Sequence, residues 1–295
     1  MSKVCEGRVV VVTGAGAGLG RSHARELGRQ GAKVVVNDVA LAAARAVADE
    51  ISGEGGTAVA NSGDVSSWDG GKNVIDQALD TFGALHGLVN NAGITRDRML
   101  VNMTEAEWDA VIAVHLNGTF TCSRHAAAYW RQQSKNGNPV AGAIVNTTSP
   151  TGLFGNIGQL NYGAAKAGIA NMTIIMSQEL AGYDVTVNCI APIARTAMTA
   201  NSKTIKQQSD DPDEFDPWTP DNVAPLVAWL VGTEARHVTG RVFAINGGRL
   251  GVAEGWVLGP QVRLDRRWRV DELLPAVDGL LAKAAPNAGT SGERT

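Results

Sequence analysis

Short, wholly apolar runs alternate with longer stretches of mixed polarity along this chain. Val9-Val10-Val11-Val12 comes first, and Ala32 to Asn37, Thr57 to Ala60, Leu88-Val89-Asn90, Ala143 to Thr147 and Val185 to Ile190 follow. Runs of this length with little polar alternation predict strands covered on both faces, as in a parallel sheet. Between them lie helical stretches, among them Leu41 to Ser52 and the segment that carries Tyr162. Strand and helix in turn predict one α/β domain with a doubly wound parallel sheet over residues 1–250. Residues 251–295 form a C-terminal extension. Its Glu254-Gly-Trp256, its basic Arg263 to Arg269 and its apolar Leu273 to Leu281 predict packing on the subunit or on a neighbour. Pro275 is expected in the first turn of a helix beginning near Asp271, where proline is tolerated. The small, polar end from Ala284 to Thr295 is expected to be disordered.

Composition narrows the picture little. At 295 residues and 44% hydrophobic, the chain can bury a core without metals or disulfides. A net charge of −3 gives no ground for nucleic acid as a partner. Cys5, Cys122 and Cys189 are too few and too scattered for a disulfide framework or a zinc site, which predicts buried thiols in a reducing compartment and no metal. No secretory segment, no apolar run of about 18 residues and no peroxisomal address at the C-terminus is found, so no membrane partner is expected and the cytoplasm is the expected location.

The chemistry is concentrated at strand ends. After Val9–Val12 comes Thr13-Gly14-Ala15-Gly16-Ala17-Gly18-Leu19-Gly20 and then a helical stretch. Strand, glycine turn and helix together suit a pyrophosphate, because glycines admit close backbone approach and the N–H groups of a helix start face the anion. The spacing places Gly14, Gly18 and Gly20 at the key positions, with Leu19 between the last two; taken alone, such a turn is also an ordinary tight loop. Asp38 ends the second strand, where a carboxylate suits the two adenosine ribose hydroxyls of NAD and repels the extra phosphate of NADP. The competing reading is that Asp38 caps the next helix. Ala17 supplies no basic side chain for that phosphate either. Asp64 and Val65 are candidates for the adenine, and Asn91-Ala92-Gly93 forms a second tight turn after a strand in which Asn90 is expected to tie neighbouring strands together. Tyr162 and Lys166 stand one helical turn apart, on one face. Ser149 lies thirteen residues upstream of Tyr162, with Thr147 and Thr148 as local competitors.

In this order, the residues from about Gly7 to Gly248 resemble the short-chain dehydrogenase/reductase family. Val34 to Asp38, Asn90 to Arg98, Val114 to Gly118 and Val223 to Leu230 are most similar to the (3R)-hydroxyacyl-CoA dehydrogenase branch in peroxisomal multifunctional enzymes, also described as a 17-beta-hydroxysteroid dehydrogenase type. The resemblance implies a Rossmann fold, a nicotinamide cofactor, NAD on the grounds of Asp38 and Ala17, and a homo-oligomer, dimer or tetramer, built through helices that include the one carrying Tyr162. It implies Tyr162 as general acid/base, Lys166 as the cation that favours the phenolate and holds the nicotinamide ribose, and Ser149 as the group that fixes the substrate oxygen. His115 occupies the place where relatives usually carry asparagine; it either relays a proton or hydrogen-bonds within a helix. Pro192 turns the chain over the nicotinamide, Ile193 stands where glycine is common, and Thr196 keeps the position expected to bond the carboxamide directly or through the pyrophosphate.

The polar, acidic stretch within residues 195–220 lacks a clear period and is expected to form a lid over the substrate. Met198, Phe215 and Trp218 within it, with Leu153 and Phe154 after Ser149, are candidates to line the substrate pocket or are packing residues. Arg96, Arg98 and Arg195 either meet CoA phosphates or are surface charges. The implied activity is oxidation or reduction of a secondary alcohol or ketone, with a (3R)-hydroxyacyl-CoA or a steroid as substrate. The rivals are a 3-oxoacyl carrier-protein reductase running on NADPH and a non-catalytic nucleotide-binding sensor.

Overall fold

The computed structural model describes residues 3–200, 205, 211 and 214–294. Much of the expected lid, residues 201–204, 206–210 and 212–213, lies outside them. In chain order the elements are β1 (Val9–Val12), α1 (Gly18–Arg29), β2 (Lys33–Asn37), α2 (Leu41–Gly53), β3 (Thr57–Asn61), α3 (Trp68–Phe82), β4 (Gly87–Asn90), α4 (Glu105–Ile112), a π-helical turn (Ala113–Asn117) and α5 (Gly118–Lys135). They continue with β5 (Gly142–Thr147), α6 (Pro150–Phe154), α7 (Leu160–Glu179), β6 (Val185–Pro192), α8 (Ala224–Val231), β7 (Val242–Asn246), β8 (Arg249–Ala253) and α9 (Val270–Leu281).

The sheet has eight strands in the order β3-β2-β1-β4-β5-β6-β7-β8, parallel except for β8, which runs antiparallel to β7. Alternate side chains along β1 explain the two helix layers. Val10 and Val12 pack with α1, α2 and α8, and Val9 and Val11 pack with α3 and α5 on the opposite face. Because both faces are covered, every residue of β1 is buried, which accounts for the unbroken valine run. The strand order reverses at β1, whose neighbours are β2 and β4. That reversal opens a crevice at the carboxyl ends of β1 and β4, the place where open α/β sheets bind ligands.

Asn90 ties the centre of the sheet as expected from the sequence. Its amide donates to the Asn146 side chain of β5 and to the Ser123 hydroxyl of α5, each at 2.9 Å. Asn146 in turn donates to the Thr173 hydroxyl of α7 at 2.9 Å, so one buried polar chain joins β4, β5 and both covering helices.

Two features of the extension differ from the sequence expectation. β8, which no apolar run announced, adds a strand at the sheet edge directly after Gly248, where the resemblance ended. Pro275 sits at the sixth residue of α9 rather than in its first turn: the helix starts at Val270, with Arg269 and Glu272 forming the cap, and a start at Asp271 would still have put the proline fifth. Further on, Gly292 lies against the Phe154 ring.

Candidate functional site

Two tight turns meet at the crevice. Thr13, at the end of β1, holds them together: its buried hydroxyl accepts hydrogen bonds from the backbone N–H groups of Asn91 (3.0 Å) and Ala92 (3.1 Å). The Asn91 amide returns the tie by donating to the carbonyls of Thr13 and Gly14. Gly14 has a left-handed backbone (φ +61°), and a Cβ there would stand 2.6 Å from the Ala92 Cα. A Cβ on Gly20 would overlap the Gly14 carbonyl oxygen. Thr13 went unnoticed in the sequence, where its only signal was adjacency to Gly14.

This cradle fits the pyrophosphate of a dinucleotide. Ala17, the N-cap of α1, supplies no side-chain hydrogen bond, and the first turn carries no acidic residue. The N–H groups of the helix start are therefore left for an anion, with the helix dipole adding to the attraction. Thr196 approaches from β6, its methyl 3.3 Å from where a Gly18 Cβ would stand, so it faces the glycine turn. Leu19 is partly buried and packs with the core on the α1 side, and Pro192 closes the end of β6.

Asp38 stands at the tip of β2 beside the same turn. One carboxylate oxygen accepts from the Gly16 N–H at 3.1 Å and the other from the Ala40 N–H at 3.0 Å. The N-cap of α2 is Ala40, so Asp38 shapes the turn into that helix without being its cap. Asp64 is satisfied by the Ser66 N–H and hydroxyl, while Val65 is buried and its carbonyl accepts from Thr121 at 2.8 Å.

The second cluster comes from β5, α6 and α7. Ser149 is the N-cap of α6, its hydroxyl accepting from the Thr151 N–H at 3.2 Å. Gly152 lets α6 lie directly on α7, since a Cβ there would stand 2.5 Å from the Lys166 Cβ. That seating brings the Ser149 hydroxyl near enough to the Tyr162 phenol to lower its pKa. The two competing threonines have other surroundings. Thr148 donates to the Lys166 carbonyl at 2.6 Å, and the Thr147 hydroxyl is buried without a partner among the described residues. Asn161, also unnoticed in the sequence, is buried and donates to the carbonyls of Arg96 and Glu107, while its oxygen accepts from the Tyr162 N–H at 2.7 Å. It thereby locks the first turn of α7.

Lys166 is buried, and its ammonium donates to the Thr147 carbonyl at 2.6 Å and lies 5.6 Å from the centre of the Tyr162 ring. Burial pushes its pKa down to about 8. Burial likewise raises the Tyr162 phenol, and Asp97 adds to the rise, while Ser149 opposes it. His115 is buried in the π-helical turn, and burial together with the nearby Lys166 charge pushes it down to about 3. Both influences favour the neutral ring.

The candidate pocket residues have different surroundings. Leu153 packs beside Ile169, Ala170 and Cys189. Met198 is 45% and Phe215 62% exposed. The backbone of Trp218 accepts from the Arg195 N–H at 2.6 Å, and the Arg195 guanidinium pairs with Asp216. Arg98 pairs with Glu107 at 2.8 Å, and Arg96 donates to its neighbour's carbonyl. Among the described residues no three His, Cys, Asp or Glu side chains gather as metal ligands, and no helix is long and apolar enough to cross a membrane.

Glycine cradle, switch-point crevice and the Ser149, Tyr162 and Lys166 cluster define a dinucleotide-dependent oxidoreductase of the α/β class. The sequence profile for short chain dehydrogenases matches residues 8–208, and the chain belongs to that family. Its sheet and helices resemble the crystal structure of a short chain dehydrogenase from Mycobacterium avium, with a TM-score of 0.89 and 51% identity over 97% of this chain and 98% of that one. A hydroxyacyl-CoA dehydrogenase, ChsB1, of Mycobacterium tuberculosis is 49% identical over 82% of this chain and 78% of its own length. The peroxisomal hydratase-dehydrogenase-epimerase of Saccharomyces cerevisiae is 41% identical over 83% of this chain, a match that takes up 26% of the larger yeast protein. The chain is thus an oxidoreductase that uses a nicotinamide cofactor.

Proposed function

We propose that this chain interconverts a secondary alcohol and a ketone with NAD as its cofactor, and that its substrate is a (3R)-hydroxyacyl-CoA or a steroid-like molecule. The observation that carries the proposal is the meeting of Ser149, Tyr162 and Lys166 beside a glycine turn whose helix start has no side-chain cap. A dinucleotide held there would supply the hydride chemistry at the substrate carbon. Gly14, Gly18, Leu19, Gly20, Asn91, Ala92, Gly93, Pro192 and Thr196 would hold it, with Asp38 on the adenosine ribose and Asp64 and Val65 towards the adenine.

Each catalytic side chain has a separate task. Ser149 orients the substrate oxygen by a hydrogen bond. Tyr162 takes the proton from that oxygen during oxidation, or returns it during reduction. Since burial holds the phenol above its usual range, the phenolate depends on nearby positive charge, and the Lys166 ammonium supplies it. The assignment of NAD rests on the Asp38 carboxylate, which would repel a phosphate on the ribose. The acyl-CoA class draws support from the name of the mycobacterial relative.

We also place two or more copies of this chain together in the cytoplasm. Phe120 (49% exposed) and Ile175 (47%) border an apolar groove between α5 and α7 that a second copy would cover. Three free, buried thiols suit a reducing compartment.

Initial rates with NAD+ and NADP+ against a panel of (3R)-hydroxyacyl-CoAs, hydroxysteroids and simple secondary alcohols test the proposal. Turnover with NAD+ and a clear loss with NADP+ is the expected result. Preference for NADP+ sinks the reading of Asp38, and tight cofactor binding with no turnover on any alcohol points to a sensor.

A further inference from the structure

His115 is placed where the helical backbone is irregular. The π-helical turn Ala113–Asn117 joins α4 to α5 and carries the imidazole inward, until only 1% of the residue is exposed. Such turns commonly occur at functional positions. One ring edge is pinned, with Nε2 lying 2.7 Å from the Ile94 carbonyl oxygen and 3.0 Å from the Ile94 nitrogen. Gly93 provides room for the ring: a Cβ there would overlap Cε1 and stand 3.0 Å from Nδ1. On its other side the imidazole meets the Tyr162 ring edge to face, at 5.2 Å between centroids and 89° between planes. One side chain therefore spans from the Asn91-Ala92-Gly93 turn, proposed to hold the cofactor, to the phenol proposed to move the proton.

We infer that His115 is a positioning residue for Tyr162: its ring, pinned to the Ile94 backbone and wedged on Gly93, sets the plane of the phenol relative to Ser149 and the cofactor turn. The inference rests on the proposed role of Tyr162 as the acid/base. A proton-carrying role is opposed by the surroundings, since burial and the nearby Lys166 charge both disfavour a protonated ring, and Nδ1 has no partner among the described residues. Around the phenol, burial and Asp97 raise its pKa and Ser149 lowers it, the Lys166 ammonium lies 5.6 Å from the ring centre, and His115 meets the ring edge to face.

The test uses the full chain saturated with NAD+ and two readouts. The first is the ionisation of Tyr162, followed by difference absorbance against Tyr162→Phe, which is practicable because the chain has three tyrosines. It needs no substrate, so a failure to find turnover would strike the proposed function and leave this inference decidable. The second is kcat and its pH profile with any alcohol that is turned over. Displacement of a reacting group by about 1 Å costs up to about a hundredfold, so His115→Ala is expected to lower kcat at least about tenfold and to move the Tyr162 ionisation. His115→Phe keeps a flat ring and is expected to recover most of both losses, whereas His115→Gln keeps the polar reach to Ile94 and is not. Unchanged kcat and ionisation in His115→Ala, or a loss relieved by Gln and not by Phe, overturns the inference. If the Phe variant does not fold, as judged by melting temperature and NAD+ titration, Gly93→Ala decides with the histidine in place. A shifted Tyr162 ionisation there supports the positioning role, and an unshifted one overturns it.

Discussion

The crevice half of this protein and its C-terminal extension use the same kinds of side chain to opposite effect. In β1, β4 and β5 every residue is buried, while β8 and α9 have no buried residue at all. Leu250 and Val252 of β8 are exposed, and Trp256 is 98% exposed. The difference lies in position. Central strands are covered by a helix layer on each face, whereas an edge strand and the segment after it have one side left bare within a single copy. Stability and chemistry are accordingly concentrated at the crevice, and the extension is free to serve contacts that one copy does not complete.

The comparison predicts effects of very different size. Tyr162→Phe is expected to cut kcat by about 10² to 10⁴ while NAD+ still binds, measured by steady-state rates and cofactor titration; a loss of less than tenfold would remove Tyr162 as acid/base. Gly20→Ala, whose methyl would overlap the Gly14 carbonyl, is expected to cost about 1–3 kcal/mol of stability and to abolish cofactor binding, checked by chemical unfolding and titration. Asn90→Ala strips Asn146 and Ser123 of a buried donor, which is expected to cost about 1–3 kcal/mol in the same unfolding assay.

Acid should reveal the crevice half as well. His23 and His115 are buried, and burial pushes each down to about 3, whereas a free imidazole binds its proton below about 6.5. The unfolded chain therefore takes up more protons in that window. Stability is full above about pH 6.5 and falls progressively as the pH drops towards 3. Unfolding curves at several pH values should show this slope, and His23→Leu, which removes a ring with no hydrogen-bond partner among the described residues, should flatten it. An unchanged slope would mean that His23 is not held neutral.

The smallest effect is expected in the extension. Leu274→Ser on α9, at a residue 71% exposed, should change the stability of a single copy by no more than about 0.5 kcal/mol. A much larger, concentration-dependent loss would show that this face is covered in solution, and would shift the extension to the buried side of the comparison.

By itself, the sequence determined the fold class, the six strands up to β6, the glycine turn and the spacing of Ser149, Tyr162 and Lys166. These are local properties: a valine run long enough for one strand, glycines at fixed offsets, two side chains one helical turn apart. Only the tertiary structure decided what meets across the sheet. Thr13 braces Asn91 and Ala92 from 78 and 79 positions away, Asn90 reaches Asn146 across 56, and His115 finds Ile94 at a distance of 21. It also set the burial and the neighbouring ammonium that push the His115 pKa down, and decided that β8 lengthens the sheet, since an edge strand exposed to solvent carries no apolar run to announce it. Short-range pattern is written in residue order, while desolvation and long-range hydrogen bonds exist only once distant segments have been brought into contact.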